Sequence, residues 1–179
     1  MQQRVHANGR SNQVISQKMQ DALNAHVTAE LYSANLYLAM SSYCDGRSYK
    51  GFGRWLRVQY FEEIDHAHKM LDYLVTRGGQ PAIGAVKAPP REFGSILSLF
   101  EAVLDHERHV TQSIDELHLT ALAQKDTAAQ VFAQWFVSEQ VEEEAGVQEI
   151  VEKLRMIGDK SSAALYLDKE YGKRQRQPA

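Results

Sequence analysis

The stretch Glu62-Glu63-Ile64-Asp65-His66 lies in the middle of a long helical pattern and decides how the rest of the chain is interpreted. Glu63 and His66 are three residues apart, so on a helix they share one face. That face is the apolar one, because the hydrophobic residues around it fall within about 40° of Glu63 at roughly 100° per residue. These residues are Leu56, Tyr60, Ala67, Met70 and Leu74. Because burying an unpaired carboxylate is costly, Glu63 is predicted to be neutralised, paired or bound to a cation.

Five helical segments are predicted, separated by glycine- and proline-containing breaks. They run from about residue 16 to 43, 49 to 77, 95 to 125, 127 to 157 and 161 to 172. Residues 79–94 hold three prolines and three glycines and are much longer than a bundle turn of roughly 2–8 residues. A connection of this length can cross a whole helix, so the second and third helices are predicted to run parallel. The expected fold is all-α: a four-helix bundle with one long crossover and a short fifth C-terminal helix.

The length of 179 residues and the 44% hydrophobic content predict one domain with a full core. We expect this domain to span residues 14–173. Residues 1–13 are polar and aperiodic, which favours a disordered tail or a cloning remnant, and residues 174–179 are expected to be a frayed tail. The single cysteine, Cys44, excludes an internal disulfide and is interpreted as a small buried hydrophobe.

Charge and hydropathy exclude several classes of function. The net charge is −3, and the only basic cluster is at the C-terminus, so no nucleic-acid partner is predicted. No apolar run approaches the ~20 residues of a membrane span, and residues 1–13 lack the apolar core of a signal peptide. We therefore expect a soluble, cytoplasmic protein without a membrane partner.

Each of the four long helices places at least one carboxylate near mid-length on its apolar face. The residues are Glu30, Glu63 with His66, Glu107, and Glu143 beside Glu139 and Gln140. In a bundle these positions meet at one level of the core. Carboxylates clustered there cannot all stay ionised without multivalent cations to offset their repulsion. Oxygen-rich ligands with a single imidazole favour hard or borderline metals, so the pattern predicts a pair of iron ions rather than zinc.

A buried glutamate is more often one end of a salt bridge, and the chain offers Arg54, Arg57 and Arg108 as partners. The coincidence across four helices favours metal binding over four separate salt bridges. Tyr37 lies two turns from Glu30 on the same face, either as a core aromatic or as an electron donor beside the metals. The remaining histidines considered are interpreted as surface or ordinary packing residues; they are His26, His68, His106, His109 and His118.

Five stretches of this chain resemble the bacterial non-haem ferritins, and the resemblance covers nearly all of residues 15–172. They are AELYS at 29–33, EEIDH at 62–66, HE at 106–107, QWFVSEQVEEE at 134–144 and LYLDKE at 165–170. The resemblance implies a five-helix subunit of a homo-oligomeric, hollow shell of 24 subunits. It also implies iron storage, with a ferroxidase centre that oxidises Fe(II) with O₂ or peroxide and feeds a ferric mineral in the cavity.

The resemblance also implies roles for individual residues. Glu30, Glu63 and His66 look like ligands of one iron, with Glu63 bridging to a second. Glu107 and Glu143 match the ligands of that second iron, with Gln140 lining it. The expected catalytic set is therefore Glu30, Glu63, His66, Glu107, Gln140, Glu143 and Tyr37. Glu62, Glu139 and Glu142 correspond to an additional iron position, also touched by Glu143, and Trp135 matches an aromatic beside the centre.

Departures from related families limit the alternatives. Ile64 stands where bacterioferritins carry a haem-ligating methionine, so no haem is expected. Val110 follows Glu107 at i+3, so the second Glu-x-x-His motif of many di-iron proteins is absent. Two alternatives stay open: a di-iron peroxidase or oxygenase acting on a separate substrate, and a DNA-protecting miniferritin. Miniferritins build their iron site between subunits, whereas here all expected ligands lie on one four-helix set.

Overall fold

The computed structural model describes residues 14–158 and 161–176, which form five helices and no strand. The all-α prediction is confirmed. The predicted tail at 1–13 and residues 177–179 lie outside the described residues. None of the described helices is long and apolar enough to cross a membrane. The helices are α1 (Gln17–Gly46), α2 (Lys50–Thr76), α3 (Ile96–Ala123), α4 (Thr127–Ile157) and α5 (Ser161–Tyr171).

Side-chain caps fix the starts of three of the long helices. Ser16, Ser95 and Asp126 each accept a hydrogen bond from the backbone N–H three residues further along. The end of α1 differs from the sequence-based expectation, because the helix continues one turn past Tyr43 to Gly46. The break falls instead at Ser48, whose φ of 66° is incompatible with a continuing right-handed helix.

The long connection between α2 and α3 runs along the surface of α1. Near the start of α1, Asn24 accepts a hydrogen bond from the backbone N–H of Ala82 at 2.9 Å. Near its end, the hydroxyl of Tyr43 donates to the carbonyl oxygen of Gly94 at 2.8 Å. The segment thus crosses the bundle from end to end, and α2 and α3 begin at the same end. They run parallel, as the proline- and glycine-rich composition of this segment predicted.

The apolar core consists of two clusters. The α5-end cluster contains residues such as Phe52, Phe100 and Ile150. The opposite-end cluster contains residues such as Leu23 and Ile114. Buried polar side chains at mid-length lie between them, and we call these the polar layer: Ser33, Gln59, Glu30, Glu63, His66, Glu107 and Gln140. Because a buried polar group must be hydrogen-bonded or bound to a ligand, this layer is where a function is to be sought.

Helix α5 docks on the start of α2. The backbone N–H of Phe52 donates to Asp168 Oδ1 at 2.8 Å, and the rings of Phe52 and Tyr171 stack with centroids 6.0 Å apart. Gly51 makes this approach possible, because a Cβ at that position would lie 1.7 Å from the carbonyl oxygen of Asp168. The chain after α5 is thereby directed back along α2 toward the polar layer.

Candidate metal centre

Three residues of the polar layer converge on one point. Glu30 from α1 and Glu63 and His66 from α2 each offer a ligand atom, and these atoms all lie within 4.8 Å of one another. The residues are 2%, 4% and 8% exposed. His66 Nδ1 lies 3.3 Å from Glu63 Oε2, which is the contact expected for residues at i and i+3 of one helix. The chain thus places two carboxylates and one imidazole in a buried position at mid-bundle.

Glu107 enters the same layer from α3. Its Oε2 accepts a hydrogen bond from Gln140 Nε2 at 2.6 Å, and the same amide also reaches the carbonyl oxygen of Glu107 at 3.1 Å. Its Oε1 accepts a short hydrogen bond from the hydroxyl of Tyr37. Both side chains that orient this carboxylate were candidate site residues on sequence grounds.

Glu143 lies on α4 at the margin of the layer and is held by a residue that the sequence analysis missed. Gln59 is fully buried on α2, and its Nε2 donates to Glu143 Oε2 at 2.7 Å. Gln59 lies four residues before Glu63, so helical spacing from that ligand was the available signal. Next to them, the ring of Trp135 meets the ring of His66 edge-on, with centroids 5.6 Å apart.

Proton affinities in the cluster are strongly displaced from their ordinary values. Burial raises the pKa of Glu30 well above its usual range, and the charge of Glu63 raises it further. Burial alone would also raise the pKa of Glu63, but the hydrogen bond and charge of His66 lower it overall. The pKa of His66 is raised, because Glu63 outweighs the opposing effect of burial. The metal-free cluster therefore keeps one carboxyl protonated beside a carboxylate-imidazole pair.

The other two glutamates are also held toward the neutral form. Burial, reinforced by the charge of Glu143, raises the pKa of Glu107 to about 8. Burial and the charge of Glu63 raise the pKa of Glu143 to about 7. A cation bound among these groups would replace protons at near-neutral pH.

The salt-bridge alternative fails for two of the arginines considered for it. Arg57 pairs with Asp45 at 3.3 Å, and Arg108 pairs with Asp105 at 3.6 Å, all outside the polar layer. Neither guanidinium neutralises a buried glutamate of the layer. The charge on the carboxylates is therefore offset by protons, by His66, by a bound cation and, for Glu107 and Glu143, in part by the charge of Arg174.

A second acidic region borders the layer on the side of α2 and α4. Glu62, Glu139 and Glu142 line an open pocket of about 880 Å³ together with Glu143. Two arginines from the chain after α5 line this pocket: Arg174, whose Nη2 lies 2.7 Å from Glu62 Oε2, and Arg176, which pairs with Asp65. Burial raises the pKa of Glu62 in spite of that arginine. The three auxiliary glutamates therefore share one pocket, but one of them is already paired.

Comparison with known proteins agrees with this architecture. Residues 20–157 match the family model described as "Ferritin-like domain". The chain belongs to the ferritin family. It is 42% identical to the bacterial non-heme ferritin of Bacteroides fragilis over 161 residues, which cover 90% of this chain and all of that protein. The corresponding protein of Campylobacter jejuni is 40% identical over 158 residues, which cover 88% of this chain and 94% of that protein.

Solved ferritin structures give the same result for the fold. A structure described as an open pore ferritin from Archaeoglobus fulgidus has a TM-score of 0.89 and 52% identity to this chain. The match covers 90% of this ferritin chain and 99% of that one. A humanized archaeal ferritin has a TM-score of 0.90 and 51% identity, with 92% and 99% covered. The resemblance stated from five sequence stretches is thereby confirmed for the family and the fold.

The donor set of this ferritin suits iron on chemical grounds. It offers carboxylate oxygens and one imidazole, as hard and borderline metals prefer, and the single cysteine is buried in the α5-end cluster. One buried carboxylate oxygen, Glu30 Oε2, has no hydrogen-bond partner within the described residues. An unsatisfied buried oxygen beside two further donors is a site that a cation would complete.

The interpretation of two histidines as surface or ordinary packing residues needs correction. His26 is 3% exposed, and its Nδ1 lies 4.0 Å from Glu30 Oε1. His106 is partly buried, with its Nε2 2.8 Å from Ser33 Oγ. Both therefore border the polar layer of this ferritin. The sequence feature that could have placed His26 near the site is its spacing from Glu30: residues four positions apart lie on one face of α1.

Proposed function

We propose that this protein is an iron-storage ferritin whose subunit oxidises Fe(II) to Fe(III) and whose shell stores the ferric product as a mineral. Fe(II) is the substrate, and the oxidant is O₂ or peroxide. The proposal is carried by the buried, oxygen-rich cluster of Glu30, Glu63 and His66, which lies in mid-bundle with a carboxylate oxygen left unpaired. No haem takes part.

In the first step, ferrous ions replace protons. One ion binds among Glu30, Glu63 and His66, and the second among Glu63, Glu107 and Glu143, with Gln140 lining the second position. Glu107 and Glu143 have raised pKa values of about 8 and 7, so they release protons as the metal enters. Iron binding is therefore expected to tighten as the pH rises through this range.

In the second step, the two ions are oxidised together. Two Fe(II) ions supply two electrons, so O₂ with two protons is reduced to H₂O₂, or H₂O₂ with two protons to two water molecules. The ionised carboxylates stabilise the higher charge of the ferric products more than that of the ferrous substrates. Tyr37, which donates its hydroxyl hydrogen to Glu107, is positioned to supply a further electron if one is needed.

The decisive test replaces the bridging ligand. Glu63→Ala should abolish the fast phase of Fe(II) oxidation in stopped flow and leave the far-ultraviolet helical signal intact. Asp72→Ala is the matched control, because it removes an exposed carboxylate from the same helix. Oxidation by Glu63→Ala at the parental rate would contradict the assignment of this centre.

We further propose that Glu62, Glu139 and Glu142 bind a third iron more weakly than the central pair. They share the acidic pocket with Glu143, and the alternative is that they are only surface charge. A variant with all three replaced by alanine should keep the first two-iron oxidation burst. It should alter the ratio of iron oxidised to O₂ consumed, or the rate at which the centre regenerates. Unchanged values for both quantities would leave these residues without a role in iron handling.

The assembly is proposed to be a cytoplasmic shell of 24 identical subunits. With a subunit of 20.3 kDa, native mass spectrometry should give about 490 kDa for the empty shell. A dodecamer would instead favour the miniferritin alternative, and a dimer would favour a di-iron enzyme acting on a separate substrate. Anomalous scattering from iron-soaked crystals would then locate each ion among the proposed ligands.

A further inference from the structure

His26 is a buried imidazole whose two ring nitrogens have no hydrogen-bond partner within the described residues. It is 3% exposed, on the face of α1 that also carries Leu23 and Glu30. Leaving a buried polar atom unsatisfied costs about 1–3 kcal/mol, so an orphaned imidazole in a tightly packed helix pair needs an explanation. Ordinary packing does not supply one, because a hydrophobic side chain of similar size would fill the space without that cost.

The nearest polar group to His26 is itself incomplete. His26 Nδ1 lies 4.0 Å from Glu30 Oε1, and Glu30 Oε2 also lacks a partner within the described residues. The separation of 4.0 Å is too long for a hydrogen bond. The terminal torsion of a glutamate is broad, so a modest rotation of the carboxylate would bring one oxygen within reach of the ring. A small movement of the carboxylate would therefore let His26 donate to one of the Glu30 oxygens.

We infer that His26 is a positioning residue for Glu30, and that its ring N–H fixes this carboxylate when a metal ion binds at the centre. This inference rests on the proposed function of the same site. A cation held by Glu30, Glu63 and His66 needs one oxygen of Glu30 turned toward it. A donor on the opposite side then holds the carboxylate in that orientation and favours its ionised form, and such partners behind metal ligands generally fix the ligand's geometry.

The geometry argues against His26 as a direct ligand of that ion. Its nitrogens are not among the atoms that lie within 4.8 Å of one another in the cluster of Glu30, Glu63 and His66. The member of that cluster with a recorded approach to the ring is Glu30, at 4.0 Å. A role through Glu30 therefore accounts for the position of His26 without a further metal ion.

The test measures metal affinity and fold stability separately, with Co(II) as a probe that needs no oxidation. His26→Leu removes the ring N–H and fills a similar volume, whereas His26→Asn keeps an amide N–H at nearly the position of Nδ1. Co(II) affinity at the centre, read by calorimetry and by the visible absorption bands of bound Co(II), should fall about 10- to 100-fold in His26→Leu. In His26→Asn the affinity should stay within about threefold of the parent, because a donor is retained at the position of Nδ1.

Stability should change in the opposite sense. In the metal-free protein, the melting temperature of His26→Leu should equal or exceed that of the parent, because two unsatisfied buried atoms are removed. Val27→Ala is the matched packing control: it creates a cavity beside the same site, so it should lower the melting temperature and leave Co(II) affinity unchanged. If His26 had a purely structural role, His26→Leu would lower the melting temperature and leave Co(II) affinity unchanged.

Each outcome decides the question. Parental Co(II) affinity in His26→Leu overturns the inference, as does a loss of affinity that Val27→Ala reproduces. If His26→Leu does not assemble, His26→Met carries the same test, because its side chain has no N–H donor. If Co(II) binds to the parent and to His26→Leu but not to Glu63→Ala, only the role of His26 is overturned. A parent that binds no Co(II) overturns the proposed centre itself.

Discussion

The metal-free protein should become less stable as the pH rises from 5 to 8.5, and Glu107 should be one of the causes. Its pKa is about 8 in the folded protein against an ordinary value of 4.5. A carboxyl with a raised pKa keeps its proton in the folded state over a range in which the unfolded chain has released it. Its contribution is therefore fully present below pH 4.5 and is lost as the pH rises toward 8.

The size of the effect follows from the same two values. At about 1.36 kcal/mol for each pH unit between them, Glu107 alone accounts for at most ~5 kcal/mol. Burial and the charge of Glu63 raise the pKa of Glu143 to about 7, and the charge of Glu143 in turn raises the pKa of Glu107, so the two contributions are not simply added. Allowing for relaxation around the charged form, we expect a loss of about 2–5 kcal/mol for Glu107.

The assay is differential scanning calorimetry in the presence of a chelator at several pH values. Glu107→Gln is neutral throughout and retains an oxygen that accepts from Gln140, so its melting temperature should fall much less with pH than that of the parent. A difference of roughly 5–15 °C should open between them by pH 8.5. Glu116→Gln, at an exposed position of the same helix, controls for removal of a charge. A parent whose melting temperature is the same at pH 5 and 8.5, or a Glu107→Gln that follows the parent, would refute this reasoning.

Two further substitutions test the docking of α5 and of the chain after it. Gly51→Ala should lower the melting temperature by the equivalent of about 1–3 kcal/mol, because its Cβ meets the carbonyl of Asp168 at 1.7 Å. Gly146→Ala, with nothing within 4 Å, should instead stabilise the helix by about 0.5–1 kcal/mol, and equal effects of the two would argue against the α5 contact. Arg174→Ala frees Glu62, so titration should show divalent cations binding in the acidic pocket about tenfold more tightly, the equivalent of ~1.4 kcal/mol. Unchanged binding there would mean that the arginine does not compete.

The bundle and most of the polar layer were predictable because both depend on local spacing. Helical periodicity placed Glu30, Glu63 and Glu107 on buried faces, and glycine and proline content identified the crossover. Neither inference needs knowledge of how the helices pack. The burial of individual positions is harder to predict: of the two leucines near the buried Tyr37, Leu36 is 5% exposed and Leu38 is 38% exposed. A side chain near the edge of a face is buried or exposed according to where the neighbouring helix crosses it.

The contacts that the sequence analysis missed depend on tertiary packing. The salt bridge of Arg174 with Glu62 joins residues 112 positions apart, and it exists only because Gly51 lets α5 lie against α2. Residues 174–179 were expected to fray, but Arg174 is ion-paired and also lies 4.7 Å from the centroid of the Trp55 ring. Gln59 and His26 were missed for a different reason. A glutamine or histidine on an apolar face is ambiguous until its neighbours are known.

The division of the core by the polar layer has a consequence for how this chain can change over evolutionary time. Among the described residues the α5-end cluster and the opposite-end cluster are separate, so substitutions in one should add to substitutions in the other with little interaction. Phe52 and Leu23 can therefore be replaced and repacked independently. A substitution in the layer, by contrast, alters hydrogen bonds and charges from all four long helices at once. The two ends of the bundle are free to diverge at separate rates, while the middle changes only as a unit.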